Sequence, residues 1–357
     1  MSTLPIMPSP LPASAFDYAC PSELIAQRPL PDRAASRLLI LERASGAIRH
    51  AAFRDLPRLF ATGDVLVRNT SRVMPARLIG RRENGRDAEV LLVHAEPDGS
   101  WLAMVHPGGK LKAGRTVRFG DDAVAEVVEV VGGGLRRLRF TGASIDALME
   151  RHGHVPLPPY IERPDDRDDR ERYQTVYARD RGSVAAPTAG LHFTEEVFDA
   201  VRERGVTIAD VTLHVGPGTF KPVEVEDPAD HRMHAEWYAV PSETMGAIRR
   251  GKREGRRVWA VGTTAARVLE TVAGTAGVAD EERAAAPSLS GWTDLFIYPP
   301  YEFRVVDALL TNFHLPRSTL IMLVAAFAGY EETMRAYREA VAQRYRLYSY
   351  GDAMAVV

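Results

Sequence analysis

Cys20 is the only cysteine among 357 residues. That excludes an internal disulfide framework and a cluster of thiolate metal ligands, and it suits a reducing cytoplasm. A surplus of one charge is lacking too. The 45 basic and 47 acidic residues leave a formal net charge of −2. This excludes a polycation that coats nucleic acid indiscriminately, but not one basic face that meets RNA. No apolar run approaches the roughly 18 residues of a membrane helix, so no membrane partner is expected. The first fifteen residues lack the basic start and apolar block of a secretory signal, and they read as a Pro-rich, frayed leader. Nucleotide fingerprints of the GxGxxG or GK[ST] type are absent.

What remains is an ordinary globular composition, 45% hydrophobic and 26% charged. The length allows two domains. RLLILE, a short amphipathic run near Phe53 to Phe60, and DVLVRN open the chain. From Ala76 to about Gly142 the character changes. ARLIGRR, AEVLLVHAE, SWLAMVHPG, TVRFG, VAEVVEVV and LRRLRFTG are strand-like runs separated by NGR, PDGS, PGGK, FGDD and VGGG. Such turn chemistry without any helical period predicts an all-β unit, a small barrel or closed sheet. The helix-like SIDALMERHG ends it, and ERPDDRDDRERY reads as solvated loop. Helices are then predicted over 194–204, 242–255, 265–273, 318–329 and 331–345. Strands are predicted over 206–214, 258–263, 294–297 and 308–313. Alternation of this kind predicts an α/β domain with a largely parallel sheet, barrel-like or mixed. The β-rich block, 73–150, is therefore expected to be an inserted barrel domain within an α/β domain formed by 16–72 and 151–357, after a flexible leader, 1–15.

Two Gly/Pro/Thr-rich loops carry one histidine each. SVAAPTAGLHFT contains Thr188, Gly190 and His192; LHVGPGTFKPV contains His214, Gly216 and Thr219. Such loops suit a backbone that approaches a ligand closely, and functional groups concentrate on loops held by a rigid scaffold. HRMHAEWY places His231, His234 and Glu236 within six residues. Spacings of three and two match neither a helical zinc pair nor one strand face, so a proton-transferring or binding site is favoured over a metal, and no metal is expected. AVGTTAARVLE runs from strand to helix through Gly262 and Thr263, a geometry that offers free backbone N–H groups; most βα turns share it. Arg267, in the first helical turn, opposes the helix dipole, which suggests a partner. LLTNFHLPRSTL sets Asn312 and His314 at a strand end, where α/β sheets bind ligands, and Asp352 lies on a Gly turn. RRGKREGRR supplies Arg249, Arg250, Lys252, Arg253, Arg256 and Arg257. These could contact RNA phosphates or simply form a solvated helix end.

Nine ordered motifs from FDYACPSELIAQRPLPDRAASRLL through NTSRVMPARL, SVAAPTAGLHFT, LHVGPGTFKPV, HRMHAEWY, AVGTTAARVLE, WTDLFIYPPYEF and LLTNFHLPRSTLIMLVAAFAG to YRLYSYGDAM span Phe16 to Met354. In them the chain resembles the S-adenosylmethionine:tRNA ribosyltransferase-isomerases. The resemblance implies an α/β domain with an inserted barrel, S-adenosyl-L-methionine as co-substrate, and tRNA carrying 7-aminomethyl-7-deazaguanine at the wobble position as partner. It implies transfer and rearrangement of a ribosyl group to give epoxyqueuosine, with release of adenine and methionine, in a cytoplasmic, monomeric enzyme. Chemistry near neutral pH points to His192, His214 and Glu236 for proton transfer. Asn312, His314 and Asp352 would orient cofactor or base, and Thr188, Gly190, Gly216, Thr219 and Thr263 would shape the nucleoside pocket. The chain departs from the family pattern at Thr70, where an acid is usual, at Pro300, where glycine is usual, and at Ala265, where serine is common. The alternatives are a non-catalytic tRNA-binding paralogue and a metal-dependent hydrolase using His231, His234 and a carboxylate.

Overall fold

Strands β1 (Arg37–Leu41), β2 (Ile48–Ala52) and β3 (Val65–Asn69) come first along the chain. They are followed by β4 (Ser71–Val73), β5 (Arg77–Arg82), β6 (Asp87–Ala95), β7 (Trp101–His106), β8 (Thr116–Phe119), β9 (Ala123–Gly132) and β10 (Leu135–Gly142). Helix α1 (Ile145–His152), β11 (Gly153–His154), α2 (Asp169–Arg172) and β12 (Asp180–Ser183) lead on to α3 (Glu195–Glu203) and β13 (Thr207–Leu213). The rest comprises β14 (Glu236–Val240), α4 (Ser242–Arg253), β15 (Val258–Val261), α5 (Gly262–Ala273), β16 (Leu289–Thr293), β17 (Ala308–Asn312), α6 (Thr319–Ala328), α7 (Tyr330–Ala342) and β18 (Ala353–Val356). This computed structural model describes residues 11–220, 223–273 and 288–357. The chain forms two compact units. One takes the chain up to Asn69, Thr188–Leu213 and Gly218–Val357; the other takes Thr70–Pro187 and His214–Pro217.

The first unit is built on a nine-stranded sheet of order β16-β14-β13-β3-β15-β17-β18-β1-β2. Strands β13, β3, β15 and β17 are mutually parallel. Their sequences show why they lie inside: VWAV of β15 and ALLTN of β17 are buried at every position, as strands covered on both faces must be. Of the two expected forms, barrel-like or mixed, the sheet is mixed, with a parallel centre. EWYAV (β14) and LSGWT (β16) add an antiparallel flank, and AMAV (β18) returns antiparallel to β17 and parallel to β1. None of these three was predicted, because each is a short run beside a loop or terminus with no turn signal of its own. The segment 294–297, predicted as a strand, forms no regular element, and the ladder lies just before it, in β16.

Helices α4 and α5 pack on β3, β13 and β15. Helix α6 buries eight of its ten residues, so its all-round apolarity reflects a core helix. Its N-cap is Ser318, whose Oγ accepts from the Ile321 N–H at 3.3 Å. Among the described residues no helix is long and apolar enough to cross a membrane.

In the second unit the six strand-like runs form β5 to β10. They close into an antiparallel barrel of order β5-β6-β7-β10-β9-β8, with β8 returning to β5 through Arg81↔Arg118 and Arg82↔Val117. Alternate residues Leu78, Val90, Leu92, Val117, Phe119, Val127 and Leu138 fill its interior. Closure depends on Gly80, since a Cβ there would lie 2.6 Å from the Arg118 carbonyl oxygen. The acidic stretch that reads as solvated loop is partly internal. Asp169 is 2% exposed, and both its oxygens accept from Arg163, at 2.6 and 2.8 Å. Paired in this way, a carboxylate can be buried.

Candidate active site

The carboxyl ends of β3, β13, β15 and β17 form one edge of the first unit's sheet, where α/β sheets usually bind ligands. Asn69 ends β3, and its side chain both accepts from the Leu213 N–H at 3.0 Å and donates to the Leu213 carbonyl at 3.1 Å. The side-chain amide thereby extends the ladder between β3 and β13. At the end of β17, the Asn312 Nδ2 donates to the Tyr348 carbonyl at 3.1 Å, the Asp352 carbonyl at 3.4 Å and the His192 Nε2 at 3.2 Å. The two carbonyls orient the amide, so His192 Nε2 must be an acceptor. Its proton is then on Nδ1, which donates to Ser36 Oγ at 2.7 Å, and Ser36 in turn donates to the Arg33 carbonyl at 3.0 Å. The His192 ring lies 5.0 Å from that of Phe53. Burial, aided by Arg33 and Arg346, drives its pKa down to about 3. His192 is a neutral imidazole with both nitrogens engaged.

His314 is held similarly. Its Nε2 meets Thr311 Oγ1 at 2.7 Å, its N–H donates to the Tyr337 hydroxyl, and its carbonyl accepts from the Tyr18 hydroxyl. Burial lowers its pKa to about 3. The carboxylate of Asp352 accepts from the backbone N–H groups of Arg37 (2.9 Å) and Arg346 (2.8 Å). Burial raises its pKa against the pull of those two donors. It pins the turn before β18 and is 1% exposed.

The 3-10 turn Thr188–His192 runs against the start of α5, where a Cβ built on Gly262 would be 3.5 Å from the Ala189 Cβ. Thr263, in that first turn, is buried. One turn further, Arg267 has its partner: its Nη1 forms a short, buried ion pair with Glu236, while Nε donates to the Leu295 carbonyl at 3.1 Å. The cation that opposes the helix dipole is therefore matched from β14. His231 stacks edge-on to Phe296, and burial followed by His234 lowers its pKa. His234 lies against Gly218. Among the described residues no three His, Cys, Asp or Glu side chains gather as a metal would require.

In the second unit, His214 follows the last residue of β13. Ser183 and Val215 join the two Gly/Pro/Thr-rich loops: the Val184 N–H donates to the Val215 carbonyl at 2.9 Å, and the Val215 N–H donates to Ser183 Oγ at 2.9 Å. The His214 ring rests on Gly182, whose φ of +149° and close approach both require glycine. Burial lowers the His214 pKa, and the Asp180 carboxylate partly offsets this. Asp180 in turn accepts from Thr70 Oγ1 at 2.6 Å. At Thr70, where the resemblance leads to the expectation of an acid, this chain has a hydroxyl donating to a neighbouring acid. Gly216 and Thr188 are half-buried and Gly190 is buried. The side chain of Thr219 lies outside the described residues. Pro300 follows a cis peptide bond after Pro299, and Ala265 is fully buried in α5.

The basic run divides. Lys252 Nζ binds both oxygens of Asp307 at 2.7 Å, and Arg257 pairs with buried Asp64 at 2.9 Å, beside the Trp259 Nε1 that also donates to Asp64. Arg256 packs against Gly63. Arg250 and Arg253 are exposed, and Arg249 is half-buried. Sequence reasoning missed Ser36, Asp180, Gly182 and Ser183. Ser36 lies far along the chain from His192, and Asp180 and Gly182 from His214, with no local pattern to mark them, while Ser183 opens the SVAAPTAGLHFT run but is tied to Val215 rather than to a histidine.

The family profile described as "Queuosine biosynthesis protein" matches residues 13–356. The S-adenosylmethionine:tRNA ribosyltransferase-isomerase of Symbiobacterium thermophilum is 54% identical over 96% of this chain and 99% of its own length. That of Thermotoga maritima is 49% identical over 96% and 99%. Among solved structures, the crystal structure of S-adenosylmethionine tRNA ribosyltransferase from Thermotoga maritima aligns with a TM-score of 0.54 at 39% identity, covering 96% of this chain and all of that one.

Proposed function

The chain belongs to the family of queuosine biosynthesis proteins, and we propose that it is an S-adenosylmethionine:tRNA ribosyltransferase-isomerase. Its substrates are S-adenosyl-L-methionine and a tRNA with 7-aminomethyl-7-deazaguanine at the wobble position. It transfers and rearranges the ribosyl group to give epoxyqueuosine, and adenine and methionine leave. Identity of 54% over 96% of the chain carries this reading. The barrel is read as an inserted domain, and the enzyme as a cytoplasmic monomer.

Buried polar groups fit an adenosine-bearing ligand. Among the described residues Asn312 Oδ1 and Thr264 Oγ1 are buried without a hydrogen-bond partner. The first can accept from an exocyclic amine, and the second can donate to a ring nitrogen. When bound, the sulfonium supplies acidified C5′ hydrogens and a leaving group. The residues then divide the work. His214, neutral near pH 7 and backed by Asp180, accepts a proton. His192 is kept neutral and holds Asn312 in position rather than moving a proton itself. Glu236, committed to Arg267, fixes the junction of β14 and α5. In the first unit Thr188, Gly190 and Thr263 shape the nucleoside pocket, His314 and Asp352 stiffen its edge, and Arg249, Arg250, Lys252, Arg253, Arg256 and Arg257 form the basic face for RNA, with Lys252 and Arg257 chiefly anchoring it; in the second unit Gly216 shapes the loop that carries His214.

A metal-dependent hydrolase fits less well, since Glu236 is taken by Arg267 while His231 packs on Phe296. Incubation with the aminomethyl-deazaguanine tRNA and S-adenosylmethionine tests the proposal. Epoxyqueuosine with equimolar adenine supports it. Folded protein that binds tRNA but releases no adenine would replace it with the non-catalytic reading.

A further inference from the structure

One rim of the barrel carries a cavity of about 220 Å³ lined by Arg82, Glu83, Asn84, Lys110, Arg115 and Thr116. Three short segments build it, and each is held in place. The β5–β6 hairpin closes through Arg82 N–H to the Arg86 carbonyl and Gly85 N–H to the Arg82 carbonyl, both 2.8 Å. The loop bearing Lys110 is bolted by Arg136, which is 9% exposed. Its Nη2 donates to the Gly108 carbonyl and its Nε to the Leu111 carbonyl, both at 2.9 Å. The turn leading into β8 is tied to the hairpin by Glu83, which accepts from Arg115 at 3.1 Å and from Thr116 Oγ1 at 3.2 Å.

That arrangement leaves a charge imbalance. The one lining carboxylate is matched by Arg115. Among the described residues neither Arg82 nor Lys110 has an acidic partner, and Arg82 Nε is buried without an acceptor. At roughly 30 Å³ per water the cavity has room for a phosphate group with part of its hydration shell. A guanidinium fork and an ammonium on a pre-set rim match phosphate oxygens.

We propose that this barrel-rim cavity is a phosphodiester site that holds one backbone phosphate of the RNA substrate between Arg82 and Lys110. It rests on the reading that the substrate is a tRNA. A phosphate contact positions a nucleic acid without reading its sequence. The site would therefore set the register of the RNA and not the choice of base.

The test compares wild type, the double variant R82A/K110A, K110A alone, and R139A as a control that removes one exposed barrel charge outside the cavity. Affinity for an unmodified tRNA is measured across a salt series, with adenine release and thermal melting measured in parallel. The expected result is that R82A/K110A weakens tRNA binding at least about tenfold and flattens the slope of log affinity against log salt by about one to two. K110A should show part of that effect and R139A little, with the KM for S-adenosylmethionine unchanged in all. A folded R82A/K110A or K110A whose affinity and slope match those of wild type would overturn the proposal, as would a loss in R139A equal to that in K110A. Wild-type protein that binds tRNA but never releases adenine would instead count against the ribosyl-transfer reading and leave the phosphate site standing.

Discussion

The imidazole of His214 rests on the backbone of Gly182 so closely that a Cβ on that glycine would stand 2.6 Å from Nε2. The glycine is therefore part of the histidine's seat. Gly182→Ala would collide with the ring and strain a φ of +149°, at a cost of about 1–3 kcal/mol. We expect a modest drop in melting temperature with a loss of adenine release approaching that of His214→Ala, at least about 100-fold. In the double variant the two losses should not add. Independent, additive losses measured by the adenine assay would separate the two residues.

His214 accepts a proton only when neutral. Burial sets its pKa below the ordinary 6.5. Turnover should therefore stay level as pH falls from 8 towards 6.5 and decline only below that, as the ring protonates. His214→Gln should abolish most turnover and, in what remains, the acidic decline. A pH–rate profile of kcat/KM for the tRNA reports it. A decline in wild type that begins well above pH 6.5 would point to a different base.

His192 and His314 are neutral in the folded protein, with pKa values near 3 against an ordinary 6.5. Between those values the unfolded chain binds more protons than the folded one, so acid favours unfolding. Their contribution is complete above pH 6.5 and is lost progressively as pH falls towards 3. From pH 7 to pH 5 each should cost about 2 kcal/mol. Urea melts at the two pH values measure the sum, and His192→Phe should remove about half of the difference attributable to the pair.

Arg267 and Glu236 are both nearly fully buried. Removing one partner strands the other's charge, which typically costs about 3–5 kcal/mol. Arg267→Met alone should sharply lower the melting temperature. Adding Glu236→Leu should recover part of it, because the stranded carboxylate is gone. A double variant no more stable than the single one would show that the pair is held by more than its mutual charge.

Local pattern alone determined much of this protein. The six barrel strands follow from alternating residues between Gly-, Asn- and Asp-bearing turns. The β13, β15 and β17 runs and the helices beside them, α3 before β13 and α5 and α6 after β15 and β17, follow from apolar blocks with caps such as Ser318. The gathering of Asn312 and the Gly262–Thr263 turn at strand ends follows from that same alternation. Other features needed the tertiary structure, because they join residues far apart in the chain. Nothing near His192 announces that Ser36 and Asn312 will occupy both its nitrogens and make it a fixed neutral ring. Nothing in HRMHAEWY shows that Glu236 begins a strand and meets Arg267 from a helix. The antiparallel placement of β14, β16 and β18 is likewise decided by which edges of the sheet remain to be paired. Composition and period report what a segment can be; the partner of a buried polar group is chosen by the fold, since burial is tolerated only where a complementary group arrives.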